Sequence, residues 1–332
     1  MGRRILAIML LVLAISIAIL TPVLAFTPVG NSLLSNFAST SPTDTPLPTP
    51  FTPTPRPKPT PILTVMGAPP TLHVKAAYLL DADTGHTLDD FHGEIPLPMA
   101  STTKIMTAII AIQTGNLDQV ITIHQDAINE VNNNGGSSAQ LVVGDQVRLK
   151  DLLYGLMLPS GDDAAVAIAD GISGSVDNFV QVMNIFAYRL HLFQTHYSNA
   201  DGLPAADHYT TAYDLVRLSE YAMKNKTFAQ LVKTGYYNLA ASSSHHAYKW
   251  TNTNDLLGTN PREFPGYPGT TGIKTGHTDD AGYCLVFSAT HSDHDLIGTV
   301  LFDTNTDPAL RFRDAKTLLN WGFGLPLRVP IQ

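Results

Sequence analysis

Pro98-Met99-Ala100-Ser101-Thr102-Thr103-Lys104-Ile105-Met106-Thr107-Ala108 is the stretch around which the chain is organised. Apolar residues at Ile105, Met106, Ile109, Ile110 and Ile112 recur at helical spacing behind Pro98, which predicts a buried helix beginning near Ser101. Residues three apart on a helix share a face, with Cβ atoms roughly 5 to 6 Å apart, so Ser101 and Lys104 point the same way. A serine hydroxyl becomes a competent nucleophile when a base takes its proton, and a neutral lysine one turn away can be that base. An ordinary lysine has a pKa of ~10.4, so holding one neutral near pH 7 costs about 4 kcal/mol, supplied by a dry pocket or a second cation. Ser-x-x-Lys alone also fits a helix N-terminus capped by Ser101 with solvated threonines and lysine. The rest of the chain has to decide.

Arg3 and Arg4 precede an apolar run from Ile5 to Leu20 broken only by Ser16 and followed by Thr21-Pro22-Val23-Leu24-Ala25-Phe26. Residues 1–26 therefore read as a signal peptide, cleaved near Ala25, or as a retained N-terminal membrane anchor, and the remainder of the chain should be exported. Residues 27–70 are rich in Pro, Thr and Ser, as in Thr45-Pro46-Leu47-Pro48-Thr49-Pro50. That composition favours extended polyproline geometry at ~3.1 Å per residue, a stalk with a reach on the order of 100 Å. The globular part is then 71–332, enough for one substantial core. A net charge of −8 argues against a nucleic-acid partner. Cys284 is the only cysteine, and it sits in an apolar run, which makes it a core residue without a disulfide.

Within the globular part, Ala76 to Ala82 and His86 to Leu88 read as two strands joined by a tight turn at Asp83-Thr84-Gly85. A short strand at Val120 to Ile123 and a polar loop at Asn132 to Ser138 come after the Ser101 helix. Helices are predicted over Leu149 to Leu158, Ala164 to Ala169, Val176 to Leu190, Thr211 to Lys224 and Phe228 to Val232. Gly272 to Thr275, Tyr283 to Thr290 and Asp295 to Phe302 are strand-like, and Ala309 to Trp321 closes with a helix. Strands at both ends with helices between imply an α+β fold in which both ends of the domain build one antiparallel sheet against a helical cluster.

Two further triplets carry chemistry. Ser160-Gly161-Asp162 sits between two helices, where it reads either as a cap with acidic first-turn residues or as a hydroxyl and a carboxylate presented to a cleft. Lys274-Thr275-Gly276 ends a strand and offers a second cation, a hydroxyl for an anionic substrate and room for close backbone approach. Lys233-Thr234-Gly235 repeats that tripeptide.

Ser101-x-x-Lys104, Ser160-Gly161-Asp162 and Lys274-Thr275-Gly276 succeed one another in the order and approximate spacing of the penicillin-binding-protein and serine β-lactamase superfamily. The chain resembles its low-molecular-mass D-alanyl-D-alanine carboxypeptidases from roughly Ala76 to Phe323. The likeness extends to Asp81-Ala82-Asp83-Thr84-Gly85, to Ser198-Asn199-Ala200-Asp201-Gly202-Leu203, and to the surroundings of Lys274 from Gly272 to Tyr283. That context singles out Lys274, and not Lys233, as the motif lysine.

The resemblance implies a β-lactamase-like fold and a catalytic domain that removes the terminal D-Ala from peptidoglycan stem peptides through an acyl-serine, without a cofactor. It implies Ser101 as nucleophile, Lys104 as its base, and Ser160 and Lys274 in proton transfer. Backbone N–H groups of Ser101 and His277 would form the oxyanion hole, Gly276 would let substrate approach, and Thr275 and Arg311 would hold the substrate carboxylate. An unpaired surface arginine is the other reading of Arg311. Stem peptides and β-lactam antibiotics are the implied ligands, the cell envelope the implied location.

Asp162 departs from the family, which usually has asparagine there. A carboxylate ~4 Å from Lys104 would favour its charged form by about 4 kcal/mol at an effective dielectric of 20, as much as activation requires. Alternatively Asp162 pairs with Lys274 or is itself protonated. No metal is expected: His291-Ser292-Asp293-His294 falls in a turn and His245-His246 in a polar loop, neither giving ligands on a rigid face. A β-lactamase would need a glutamate loop of the E-x-x-L-N type, which the chain lacks, and a non-catalytic peptidoglycan-binding domain disabled by Asp162 is the other alternative.

Overall fold

The computed structural model describes residues 61–292, 294–303 and 307–328. The apolar run at 5–20 and the stalk as far as residue 60 lie outside the described residues. No helix among the described residues is long and apolar enough to cross a membrane.

In chain order the strands and helices begin with β1 (Ile62–Leu63), β2 (Ala76–Asp81) and β3 (His86–Phe91). A 3-10 turn over Ala100–Thr103 then runs directly into α1 (Lys104–Thr114). Next come β4 (Val120–Thr122), α2 (Gln125–Asn134), β5 (Gln146–Arg148), α3 (Leu149–Met157), α4 (Asp162–Ser173) and α5 (Val176–Arg189). After α6 (Ala212–Met223) and α7 (Lys226–Lys233) stands the small hairpin β6 (Tyr236–Leu239) and β7 (Tyr248–Thr251). The chain closes with β8 (Thr270–Thr278), β9 (Gly282–His291), β10 (His294–Asp303), α8 (Leu310–Phe323) and β11 (Leu327–Arg328).

Among the described residues the main sheet runs β3-β2-β10-β9-β8, antiparallel throughout. The N-terminal hairpin and the three C-terminal strands thus share one sheet, as the sequence implies. Its inner strands alternate between two cores. Tyr78, Leu80, Cys284, Val286, Ile297 and Leu301 face the helical cluster, whereas Leu79, Leu285, Phe287, Leu296 and Val300 face Phe312, Ala315, Leu318 and Leu319 of α8. A sheet buried on both faces reads as a near-continuous apolar run, which is the pattern of Tyr283 to Thr290. Cys284 is a free, buried thiol, and burial pushes its pKa up to about 11.

Several boundaries differ from the sequence reading. Ile62–Leu63 pairs with Leu327–Arg328, so ordered structure starts upstream of residue 71 and joins the two ends of the body. The polar loop expected at Asn132 to Ser138 begins three residues later, because Asn132 to Asn134 complete α2, closed by Gly135 at φ +69°. Lys274-Thr275-Gly276 lies inside β8 and does not end it, and the decoy Lys233 ends α7.

Candidate active site

The site is assembled where α1 meets the outer edge of β8. Ala100 adopts φ +47°, a left-handed conformation that turns the chain into the helix at Ser101. Thr102 Oγ1 donates to Met99 O at 2.6 Å and Thr103 Oγ1 to Ala100 O at 2.8 Å, closing the turn. His208 buttresses it: Nδ1 accepts from Ser198 N–H at 3.0 Å, so Nε2 carries the hydrogen and donates to Thr103 Oγ1 at 2.7 Å. Burial, with lesser repulsion from His196 and Lys104, pushes the His208 pKa down to about 4, so the ring is neutral in ordinary conditions. Ser101 caps neither helix. The alternative reading of Ser-x-x-Lys as a capped N-terminus is therefore not what the chain adopts.

Lys104 is fully buried. Its ammonium donates to Ser101 Oγ at 3.0 Å, to Asp201 O at 2.6 Å and to Asp162 Oδ1. Of the arrangements open to Asp162, the structure shows the pair with Lys104. Its other oxygen accepts from Ser137 N–H at 2.8 Å, while its own N–H donates to Ser137 O at 2.8 Å. Asp163 holds the rest of that loop, with Oδ1 accepting from Ala139 N–H at 2.8 Å and Oδ2 from Ser138 Oγ at 2.9 Å. The two aspartates thus face different ways from the start of α4, whose cap position is Gly161 with no side-chain cap. Burial pushes the nearby Asp201 carboxyl up to about 7, opposed by Lys104 and reinforced by Asp162.

Lys274 is also fully buried, and its ammonium donates to Thr275 O at 3.0 Å. Burial, then the charges of Lys104 and Arg311, push its pKa well below the usual lysine value, against the pull of Asp162. The dry pocket and the second lysine of the Ser-x-x-Lys reading are both present, with the Asp162 carboxylate paired to Lys104 between them. Ser160 sits at φ +68°, strained for a side chain, and its buried Oγ has no internal hydrogen-bond partner. An ideal Cβ on Gly276 would stand 3.1 Å from Met99 O and 3.2 Å from Ser101 N, so any side chain there would push β8 and the nucleophile's turn apart by a few tenths of an ångström.

A cleft of about 480 Å³ is lined by Ser101, Ser160, Asp162, Thr275, Gly276, His277 and Arg311. The structure therefore brings together all the expected surface-facing site residues, with Lys104 and Lys274 buried behind them. Arg311 is not a loose surface arginine. It donates to Gly276 O at 3.1 Å and lies over the Tyr283 ring, and its buried Nε has no hydrogen-bond partner. Burial lowers its pKa, so it is a poorly hydrated cation at the cleft floor. Sequence reasoning missed Thr253, whose hydroxyl meets that of Thr275 at 2.6 Å, and the rim Asn134 to Ser137. The rim's signal was the pair Gly135-Gly136: an ideal Cβ on Gly136 would collide with the Asp162 carboxylate.

A serine against a buried lysine beside a second buried lysine, in an α+β fold, is an arrangement suited to nucleophilic acyl transfer. Residues 64–306 match the family described as D-alanyl-D-alanine carboxypeptidase, and the chain belongs to that family of serine peptidases. It is 40% identical over 268 residues to a D-alanyl-D-alanine carboxypeptidase of Streptomyces sp. strain K15, covering 77% of this chain and 89% of that protein. It is 34% identical to the carboxypeptidase DacF of Bacillus subtilis, of which it spans only 62%. Among solved structures, the Streptomyces K15 DD-transpeptidase superposes with a TM-score of 0.72 at 38% identity, covering 78% of this chain and all of that one. Penicillin binding protein 6B from Escherichia coli gives 0.68 at 31% identity, covering 79% and 82%.

Proposed function

We propose that the protein is a D-Ala-D-Ala carboxypeptidase in which Ser101, Lys104, Ser160 and Lys274 are catalytic and Asp162, Thr275, Gly276, His277 and Arg311 bind or orient substrate. The observation that carries this is the 3.0 Å contact between Lys104 Nζ and Ser101 Oγ inside a buried ion pair. Ser101 Oγ attacks the carbonyl carbon of the penultimate D-Ala. Its proton passes to Lys104 as Lys104 passes one to Asp162 Oδ1, so the buried pair relays charge without leaving a lone ion behind. The oxyanion forms against the N–H groups of Ser101 and His277, where losing one donor typically costs ~3 to 4 kcal/mol. Collapse breaks the C–N bond, and the relayed proton reaches the departing D-Ala nitrogen through Ser160 Oγ. Water then releases the acyl group.

Arg311 and Thr275 receive the terminal carboxylate. The guanidinium is already desolvated and keeps an unpartnered Nε, so a carboxylate gains a charge-assisted bond at little further cost. β8 pairs only with β9 among the described residues, leaving its other edge for an extended peptide or a β-lactam. Action on the cell envelope is the consequence of this substrate, and the apolar run at 5–20 would tether the enzyme there through the stalk, or be cleaved near Ala25 to release it.

The test is D-Ala release from a synthetic tripeptide ending in D-Ala-D-Ala, with a fluorescent penicillin in parallel. Stoichiometric D-Ala release and slow loss of the penicillin label are expected. Rapid penicillin turnover would make it a β-lactamase, and no labelling with no D-Ala release would make it a non-catalytic binder.

A further inference from the structure

The turn histidine that sequence proximity made unpromising acquires partners through sheet register. Pairing of β10 with β2 sets Leu296 opposite Asp81 and brings His294 against the β2–β3 turn. His294 Nε2 stands 3.1 Å from Asp81 Oδ1, and Nδ1 stands 3.3 Å from Asp83 Oδ2. One ligand atom from each of Asp81, Asp83 and His294 lies within 4.8 Å of the other two.

Two observations point to an occupant. Asp81 is 0% exposed, yet its Oδ2 has no hydrogen-bond partner. The buried Nε2 of His294 likewise has none, despite its nearness to Asp81. Asp81 Oδ1 accepts from Asp83 N–H at 3.1 Å and Asp83 Oδ2 from Asp295 N–H at 2.9 Å, so the unmet demand is at Asp81 Oδ2, and a buried carboxylate oxygen left unpaired is costly. The 3.1 Å and 3.3 Å contacts are made by opposite nitrogens of the ring, so only one of them can belong to an ion's shell, and the 4.8 Å spread of the three ligand atoms closes onto one ion with a modest side-chain rotation.

We propose that Asp81, Asp83 and His294 form a binding site for a divalent transition-metal ion of the Zn²⁺ type, with water completing its shell. One imidazole and two carboxylates suit a borderline cation better than Ca²⁺ or Mg²⁺, which take oxygen ligands. The site ties the β2–β3 turn to the β9–β10 turn. It adds rigidity at the end of the sheet away from the turn that joins β8 to β9, and it takes no part in acylation.

The experiment titrates the chelator-stripped full chain with ZnCl2 by calorimetry and follows Tm. One saturable site is expected, with Tm raised by about 5 °C at one hundred times its dissociation constant. His294→Gln and, separately, the half-exposed Asp83→Asn weaken binding at least tenfold, whereas His246→Gln, at a separate histidine–carboxylate pair, leaves it unchanged. Penicillin acylation proceeds at the same rate with and without Zn²⁺. Absence of saturable binding, or binding that survives both His294→Gln and Asp83→Asn, overturns the proposal and leaves His294 as a ring held between two carboxylates.

Discussion

Replacing Asp162 by asparagine separates two opposing effects of the same carboxylate. Asp162 accepts from the Lys104 ammonium through one oxygen and from Ser137 N–H through the other. Asparagine has one carbonyl oxygen, so its NH2 must confront either the ammonium or the Ser137 N–H, and one buried donor loses its partner at a cost of about 1 to 3 kcal/mol. A carboxylate about 4 Å from an ammonium stabilises the charge by about 4 kcal/mol at an effective dielectric of 20. Removing it alone would raise the fraction of neutral Lys104, and hence acylation, by up to about a thousandfold. Against that gain stands the loss of the group that receives the lysine proton, since positioned acid–base groups contribute about 10²- to 10⁴-fold, and the release of the Gly135 to Ser138 rim. The relay account predicts that Asp162→Asn acylates with a fluorescent penicillin at between the wild-type rate and about one hundredth of it. Stopped-flow measurement of the second-order acylation constant reads this directly. A variant a hundredfold or more faster would mean that Asp162 traps Lys104 as a cation and relays nothing.

Three further outcomes are set by the geometry. Gly276→Ala forces β8 away from Met99 O and Ser101 N, contacts of 3.1 and 3.2 Å, and should cut acylation at least tenfold while thermal unfolding reports a loss of about 1 to 3 kcal/mol. Arg311→Gln should lower kcat/KM on a D-Ala-D-Ala peptide by about a hundredfold and lower it much less on the same peptide as its C-terminal amide, which loses only the support the guanidinium gives Gly276 O. His208, with its pKa lowered to about 4, binds its proton less readily folded than unfolded. Its contribution to stability is therefore full above about pH 6.5 and is lost as pH falls toward 4, about 2 kcal/mol of it by pH 5. His208→Asn should flatten the decline in denaturant stability between pH 7 and pH 5 by that amount, and an unchanged pH slope would contradict it.

What the sequence made legible was carried by local pattern. Apolar spacing around Ile105 located α1, continuous apolar runs located β9 and β10, and three triplets marked the walls of the cleft. Pairings between distant segments were not legible, since nothing near Asp163 says that it holds the loop at Ser138 and Ala139, nor near His294 that it meets Asp81. Most of α2 was left unassigned and its last three residues were read as loop, because the helix is polar around most of its surface, burying only Ala127, and ends in Asn-rich sequence. The β6–β7 hairpin was missed because β6 has no fully buried residue to declare it. Asp162 was recognised as a departure, but choosing between Lys104 and Lys274 as its partner needed the fold.

Intact-mass analysis after brief exposure to penicillin, followed by peptide mapping, tests most directly whether Ser101 is activated by Lys104. One adduct per chain on Ser101, abolished in Ser101→Ala and reduced at least a thousandfold in rate in Lys104→Ala, is the predicted result. An adduct on another residue, or labelling of Lys104→Ala at the wild-type rate, would contradict the mechanism.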